Sequence, residues 1–240
     1  MRGLFNYESK IMQYFLALAD IFILNIVFLL CCIPLFTIGA AQTGLYCGIR
    51  RLLDPEDDRS CLGAFFKGFA NGFKHITLVH MLYLLVIVLV VWSTLAASAL
   101  SGLEGFTSTI PVPPGWLCIL ALCICALFHS TLAPFHANFN CTTKQLLRNS
   151  FFVAFAYPIH AVGITALIWA PVAVFLWNTY YFLLLIPVWG TLYYSLAYML
   201  AFYIMKKPMK ELTQDFLASQ KAEAAPDFPV EISEHAEHTK

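Results

Sequence analysis

The stretch that decides the fold is residues 11–51, IMQYFLALADIFILNIVFLLCCIPLFTIGAAQTGLYCGIRR. Its first part, 11–33, is almost wholly apolar, and about 20 helical residues rising 1.5 Å each are enough to cross a hydrocarbon core roughly 30 Å thick. The run breaks at Pro34 and resumes as a less apolar segment that stops at Arg50 and Arg51. Residues 11–33 are therefore predicted to be a membrane-spanning helix.

The composition of the whole chain agrees with this prediction. Of the 240 residues, 60% are hydrophobic and 12% are charged, whereas soluble domains are about 45–50% apolar. No Lys or Arg lies between Lys74 and Lys144, and no carboxylate lies between Glu104 and Glu211. Such gaps are expected in a bilayer, because a charge at its centre costs at least about 2.5–3.5 kcal/mol. We expect an all-α, polytopic transmembrane helical bundle surrounded by lipid.

Four further apolar runs predict spans at 77–100, 116–137, 151–177 and 180–205, so that residues 1–205 form one transmembrane domain. The segment 37–49 is marginal in length, and it fits either a short sixth span or a helix that enters and leaves on one side. The tail, 206–240, is polar and is expected to be disordered.

Basic residues indicate the orientation of the chain. They collect before residue 77, near residue 144 and at the start of the tail, while the other connections hold none. By the positive-inside rule these basic segments and the C-terminus are cytoplasmic. Five spans place the N-terminus outside and six place it inside, and the sequence leaves both open.

Two patterns predict helix contacts at the membrane. Small residues recur at four-residue spacing in Ala40, Gly44 and Gly48, which lets another helix approach closely. Residues 62–76 predict a cytoplasmic amphipathic helix, lying either in the membrane interface or on the protein's own spans. Its aromatic side carries Phe65, Phe66, Phe69 and Phe73, and its opposite side carries Lys67 and Lys74.

A weak internal similarity links AFFKGFA at 64–70 to SFFVAFA at 150–156. Each motif precedes a predicted span, and repeats in membrane proteins often place a binding site between the halves. Duplication and chance both remain compatible with a match this short.

Asp20, His129 and His136 are the candidate intramembrane polar site. A carboxylate inside a span is a functional hypothesis by default, and His129 and His136 share a helical face because they are seven residues apart. With His80 and His160 near the ends of other spans, these groups could relay a proton or a metal ion. The alternative is that Asp20 only fixes packing and that the histidines bond headgroups or backbone.

Motifs for catalysis are missing from the sequence. There is no GxxxxGK[ST], HExxH or GxSxG, and the eight cysteines form no CxxC pair and no zinc-spaced Cys/His cluster. We therefore expect no enzyme activity, no catalytic, cofactor-binding or metal-ligating residues, and no nucleic-acid partner.

The series FNYESKIMQYFLALADIFILNIVFLLCCIPLFTIGAAQTGLYCGIRRLL, with FFKGFANGFKH downstream, resembles the YesL family of bacterial integral membrane proteins, classed as domain of unknown function number 624. The most specific pieces are the turn from Ile33 to Ala40 and the later Tyr46, Arg50 and Arg51, and the likeness is strongest over 4–75. Members typically occur in Gram-positive bacteria, often encoded beside carbohydrate ABC transporters and glycoside hydrolases. The resemblance implies no established activity and no functional residues to carry over.

The function that we expect is therefore a non-catalytic accessory or assembly partner of a carbohydrate ABC-type transport system in a bacterial plasma membrane. Sugar ABC permease subunits would be its protein partners. The alternative is a small secondary transporter or channel that uses Asp20 and the histidines. The sequence leaves the oligomeric state open.

Overall fold

The computed structural model describes residues 10–53, 60–100, 115–139 and 142–224, and every element within them is helical. This confirms the all-α fold class. The elements are α1 (Lys10–Cys31), a 3-10 turn (Leu35–Thr37), α2 (Ile38–Leu53), α3 (Cys61–Leu100), α4 (Gly115–Asn138), α5 (Thr143–Ala156), α6 (Pro158–Trp177), α7 (Thr179–Leu184), α8 (Ile186–Val188), a π-helical turn (Trp189–Tyr193) and α9 (Tyr194–Ala224).

Five helical stretches of the described chain are long and apolar enough to cross a membrane. They are Met12–Cys31, Cys61–Ala96, Ile119–Asn138, Pro158–Trp177 and Ile186–Gln214. The predicted polytopic bundle with five spans is thus confirmed, and the chain is a multi-pass membrane protein. The sixteen-residue α2 is not among the five.

Helix α2 lies in the middle of the bundle instead. Nearly all of its residues from Gly39 to Ile49 are buried, and it packs against α1, α3, α4 and α9. A tight turn at Pro34 brings it back from α1, and the hydroxyl of Thr37 closes this turn by donating to the carbonyls of Cys31 and Pro34. The short helix is therefore covered by its own chain on several sides.

Helix α3 corrects one predicted boundary. The sequence separated a helix at 62–76 from a span at 77–100, but the structure has one unbroken helix of 40 residues, about 60 Å long. Gly68 and Gly72 do not interrupt it, because they lie where α3 packs closely on α2. Of the predicted aromatic side, Phe65 is buried and Phe69 half-buried, whereas Phe66, Phe73, Lys67 and Lys74 are exposed.

The predicted span 151–177 is also divided. Its first residues belong to α5, which ends at Ala156, and Tyr157 leaves the helical conformation before Pro158 starts α6. The reason is that proline clashes with a helical residue before it and is well suited to the first helical position. The similar segments 64–70 and 150–156 consequently differ in structure, since the first lies inside the unbroken helix α3 and the second ends at this break.

The predicted span 180–205 is broken and then extended. The short helices α7 and α8 and the π-helical turn precede α9, which continues through Pro208 to Ala224. The expectation of disorder from residue 206 is thus wrong for 206–224. Met205 and Met209 are buried against the bundle, and this packing holds the helix together across the proline. Residues 225–240 lie outside the described chain.

Candidate functional site

A buried histidine pair lies between α3 and α4. Nδ1 of His80 is 2.8 Å from Nε2 of His129, and both side chains are almost fully buried. One imidazole must donate and the other accept, because a neutral imidazole carries one N–H and one free nitrogen. The pair therefore forms a direct polar link between two helices inside an apolar interior.

Aromatic rings enclose this pair. Tyr83 stacks on the His129 ring with a centroid distance of 4.5 Å and an interplanar angle of 19°. Trp169 of α6 packs edge-on against both rings, at 6.2 Å from Tyr83 and 6.3 Å from His129. The cluster of His80, Tyr83, His129 and Trp169, which we call the histidine cluster, thus joins α3, α4 and α6.

The histidine cluster also contains unsatisfied polar atoms. Among the described residues, Nε2 of His80, Nδ1 of His129 and Nε1 of Trp169 are buried and have no hydrogen-bond partner. Such atoms are uncommon in folded proteins, because each carries a desolvation cost of about 1–3 kcal/mol. The cluster therefore combines titratable imidazoles with unpaired buried nitrogens, which makes it a candidate for proton chemistry.

The other two predicted site residues lie elsewhere. Asp20 is half-buried, and its Oδ2 accepts a hydrogen bond from Sγ of Cys61 at 3.6 Å. His136 is buried beside His75, whose Nδ1 lies 2.7 Å from Oγ1 of Thr143. No hydrogen bond or ring contact joins either residue to the histidine cluster, and the described ranges contain no group of three His, Cys, Asp or Glu that could hold a metal ion.

The small-residue stripe of α2 faces helices of the same chain. A Cβ placed on Gly44 would lie 2.8 Å from the Phe65 carbonyl oxygen, and one on Gly48 would lie 2.7 Å from Cδ2 of Leu24. Ala40 is completely buried. The stripe is thus occupied within the bundle, by α3 on one side and α1 on the other.

Sequence comparison shows that the first part of this architecture is similar to a protein family. Residues 21–94 match the family described as "Protein of unknown function, DUF624". We call residues 21–94 the DUF624 segment. This confirms the resemblance to the YesL family read from the sequence. No curated protein and no solved structure matches the chain.

The DUF624 segment contains the Pro34 turn, the buried α2 and one half of the histidine pair. His80 lies inside it, whereas His129 and Trp169 lie beyond its end. The histidine cluster thus joins the DUF624 segment to the following helices. Sequence reasoning found the individual histidines but not their pairing, because hydropathy gives the depth of a residue and not the direction of its side chain.

Asn25, also in the DUF624 segment, is a polar residue whose role the sequence pattern does not indicate. Its side chain is fully buried, and its Nδ2 donates to the carbonyl of Gly190 at 2.8 Å while its Oδ1 accepts from the backbone N–H of Ser195 at 3.1 Å. The π-helical turn leaves backbone groups without their usual helical partners. Asn25 therefore ties α1 to the break before α9.

Arg50, near the end of α2, ties the DUF624 segment to α4. Its Nη1 donates to the carbonyl of Ala137 at 3.3 Å and to Oδ1 of Asn138 at 3.1 Å. Tyr46 lies beside this contact, and burial raises the pKa of its hydroxyl to about 12, although Asn138 and Arg50 act in the opposite direction. The last turn of α4 is thus held by α2.

Basic side chains from separate segments collect at this end of the bundle, which we call the basic end. Arg50, Lys206 and Lys210 line a cleft of about 490 Å³, and Lys144 and Arg148 line a second cleft beside α4. Basic residues of two predicted cytoplasmic segments, Arg50 of α2 and Lys206 and Lys210 of α9, are therefore neighbours in space.

Proposed function

We propose that this protein is a non-catalytic accessory or assembly partner of a carbohydrate ABC-type transport system in a bacterial plasma membrane. The observation that carries the proposal is the use of the interior polar groups. His80 bonds His129, Asn25 bonds the backbone of the π-helical turn, and Arg50 bonds the end of α4. Polar side chains that hold helices to one another in this way suit a protein that presents a fixed shape to a partner.

The arrangement of Asp20 supports the same proposal. A transport path through Asp20 and His129 would require polar groups that connect them, but Asp20 bonds Cys61 and His129 is enclosed by aromatic rings. The resemblance to the YesL family adds the setting, since its members are often encoded beside carbohydrate ABC transporters. Permease subunits embedded in the same membrane are therefore the partners that we expect.

Copurification from native membranes tests the proposal. A tagged full-length chain, extracted in mild detergent, should retain the permease subunits of a carbohydrate importer at near-stoichiometric amounts by mass spectrometry. Gly44→Val, which forces α2 away from α3, should lose them, whereas Gly163→Ala, where a Cβ meets nothing nearer than 3.7 Å, should keep them. Recovery of no permease above the level of an unrelated membrane protein would contradict the accessory role.

A second candidate function is a small proton-coupled transporter or channel. One observation favours it, namely the buried His80 and His129 pair with an unpaired nitrogen on His129. Proteoliposomes that contain only this chain would then show substrate or proton flux, reduced by His129→Leu and Asp20→Asn but unchanged by His160→Leu. Absence of flux from wild-type liposomes would favour the accessory role.

A further inference from the structure

Helices α4 and α5 line an open cleft of about 740 Å³ at the basic end. One part of its wall is cationic and comes from Lys144 and Arg148 near the start of α5. The other part is apolar and comes from Ile124, Phe128, Leu147 and Phe151. The cleft is therefore amphiphilic, with two cations set among apolar side chains.

The two cations lack a negative partner. Lys144 and Arg148 are four residues apart, so they lie on the same face of α5, where like charges destabilise a helix. Both are exposed, and the sequence has no carboxylate from 105 to 210. Within the described residues neither side chain forms an ion pair. This face of α5 would consequently be stabilised by a bound anion.

The spacing of the two parts suits a lipid. Phe151 lies seven residues beyond Lys144 and three beyond Arg148, which is about 10 Å and about 4.5 Å along the helix axis. Ile124 and Phe128 are one turn apart on α4 and continue the apolar wall. A ligand held here would have its charge beside Lys144 and Arg148 and its chain against the aromatic and aliphatic side chains.

We propose that this cleft binds one anionic phospholipid, with its phosphate between Lys144 and Arg148 and one acyl chain along the apolar wall. Basic pockets between membrane helices recognise anionic headgroups, and the planar guanidinium of Arg148 matches two phosphate oxygens at once. A free anion would use the cations but would leave the apolar wall uncovered. The site is independent of the accessory role proposed above.

Native mass spectrometry of the full-length chain in detergent tests this site with phosphatidylglycerol and with phosphatidylcholine of the same acyl chains. The wild type should bind one phosphatidylglycerol in preference. The double variant Lys144→Gln/Arg148→Gln should bind it about thirtyfold more weakly, as expected for the loss of two cations near a membrane surface. Phosphatidylcholine, which the wild type should bind more weakly, should bind equally to the wild type and to the double variant.

A charge-matched variant controls for general electrostatic attraction. Lys67→Gln/Lys74→Gln removes two exposed cations from α3, neither of which lines the cleft, and should leave phosphatidylglycerol binding unchanged. An equal loss in this control would overturn the proposal, as would a wild type with no preference between the two lipids.

The apolar wall provides the test that separates a lipid from a free phosphate. Leu147→Trp keeps both cations but fills part of the cleft, so it should weaken phosphatidylglycerol binding. Binding of inorganic phosphate, which needs only the two cations, should not change. If inorganic phosphate displaced the lipid from the wild type at concentrations similar to those of the lipid itself, the site would hold a free anion. The assignment to a phospholipid would then be wrong.

Discussion

Gly44 of α2 and Phe65 of α3 are so close that a Cβ on Gly44 would lie 2.8 Å from the Phe65 carbonyl oxygen. The neighbouring atom is backbone, so it cannot turn aside as a flexible side chain could. The same contact is made from the other side, where a Cβ on Gly68 would lie 2.6 Å from Sγ of Cys47. Glycines on both helices therefore set the distance between α2 and α3.

Gly44→Ala should destabilise the protein by about 1–3 kcal/mol, because the added methyl group must push the two helices apart and loosen the contacts around it. Gly163→Ala is the matched control. A Cβ there meets only Cδ1 of Ile204, at 3.7 Å, and alanine is the better helix former by about 0.5–1 kcal/mol. Thermal unfolding in detergent should lower the midpoint for the first variant and not for the second, and equal effects would contradict the close approach.

The hydrogen bond between His80 and His129 should appear as a coupling energy. His129→Leu leaves Nδ1 of His80 buried without its partner, at a cost of about 1–3 kcal/mol. His80→Leu/His129→Leu removes both groups, so its effect should be smaller than the sum of the single effects by about 0.5–2 kcal/mol.

Equilibrium unfolding in micelles for the two single variants and the double variant measures this coupling. His160→Leu, at a half-buried position in the first turn of α6, serves as the control and should change stability by less than about 0.5 kcal/mol. Strict additivity of His80→Leu and His129→Leu would show that the two imidazoles do not interact.

Asn25→Leu should loosen the π-helical turn. The substitution keeps the branched shape of the side chain but leaves the half-buried carbonyl of Gly190 and the buried N–H of Ser195 without a side-chain partner, at about 1–3 kcal/mol. Hydrogen exchange should rise at Trp189–Tyr193 and Ser195. Thr94→Val, an exposed helical site whose hydroxyl bonds its own turn, should leave exchange there unchanged, and unchanged exchange in Asn25→Leu would remove this role of Asn25.

The sequence was sufficient for the bounds of two of the five spans. The predictions 11–33 and 116–137 lie within two residues of α1 and α4, because length and apolar composition are what a bilayer selects. Pro34 was likewise found as the break between α1 and α2, since proline disfavours a continuous helix.

The position of α2 required information that no local pattern contains. Its sixteen residues include Gln42, Thr43, Tyr46 and Arg50, so by composition it is a marginal span. Its stripe of small residues showed that some helix would approach closely, but not that α3 and α1 of the same chain would be those helices. The pairing of His80 with His129, 49 positions later, was hidden for the same reason.

The orientation of the bundle is the last property that we predict. Lys144→Cys, Lys210→Cys and Asn178→Cys occupy exposed positions, the first two at the basic end and the third at the connection between α6 and α7. In a background that lacks the eight native cysteines, a membrane-impermeant maleimide should label Lys144→Cys and Lys210→Cys only in inside-out vesicles, and Asn178→Cys only in intact cells. The reason is that cytoplasmic connections retain Lys and Arg during insertion. Labelling of Lys144→Cys and Asn178→Cys from the same side would mean that α6 does not cross the membrane, and labelling of Lys144→Cys only in intact cells would invert the whole topology.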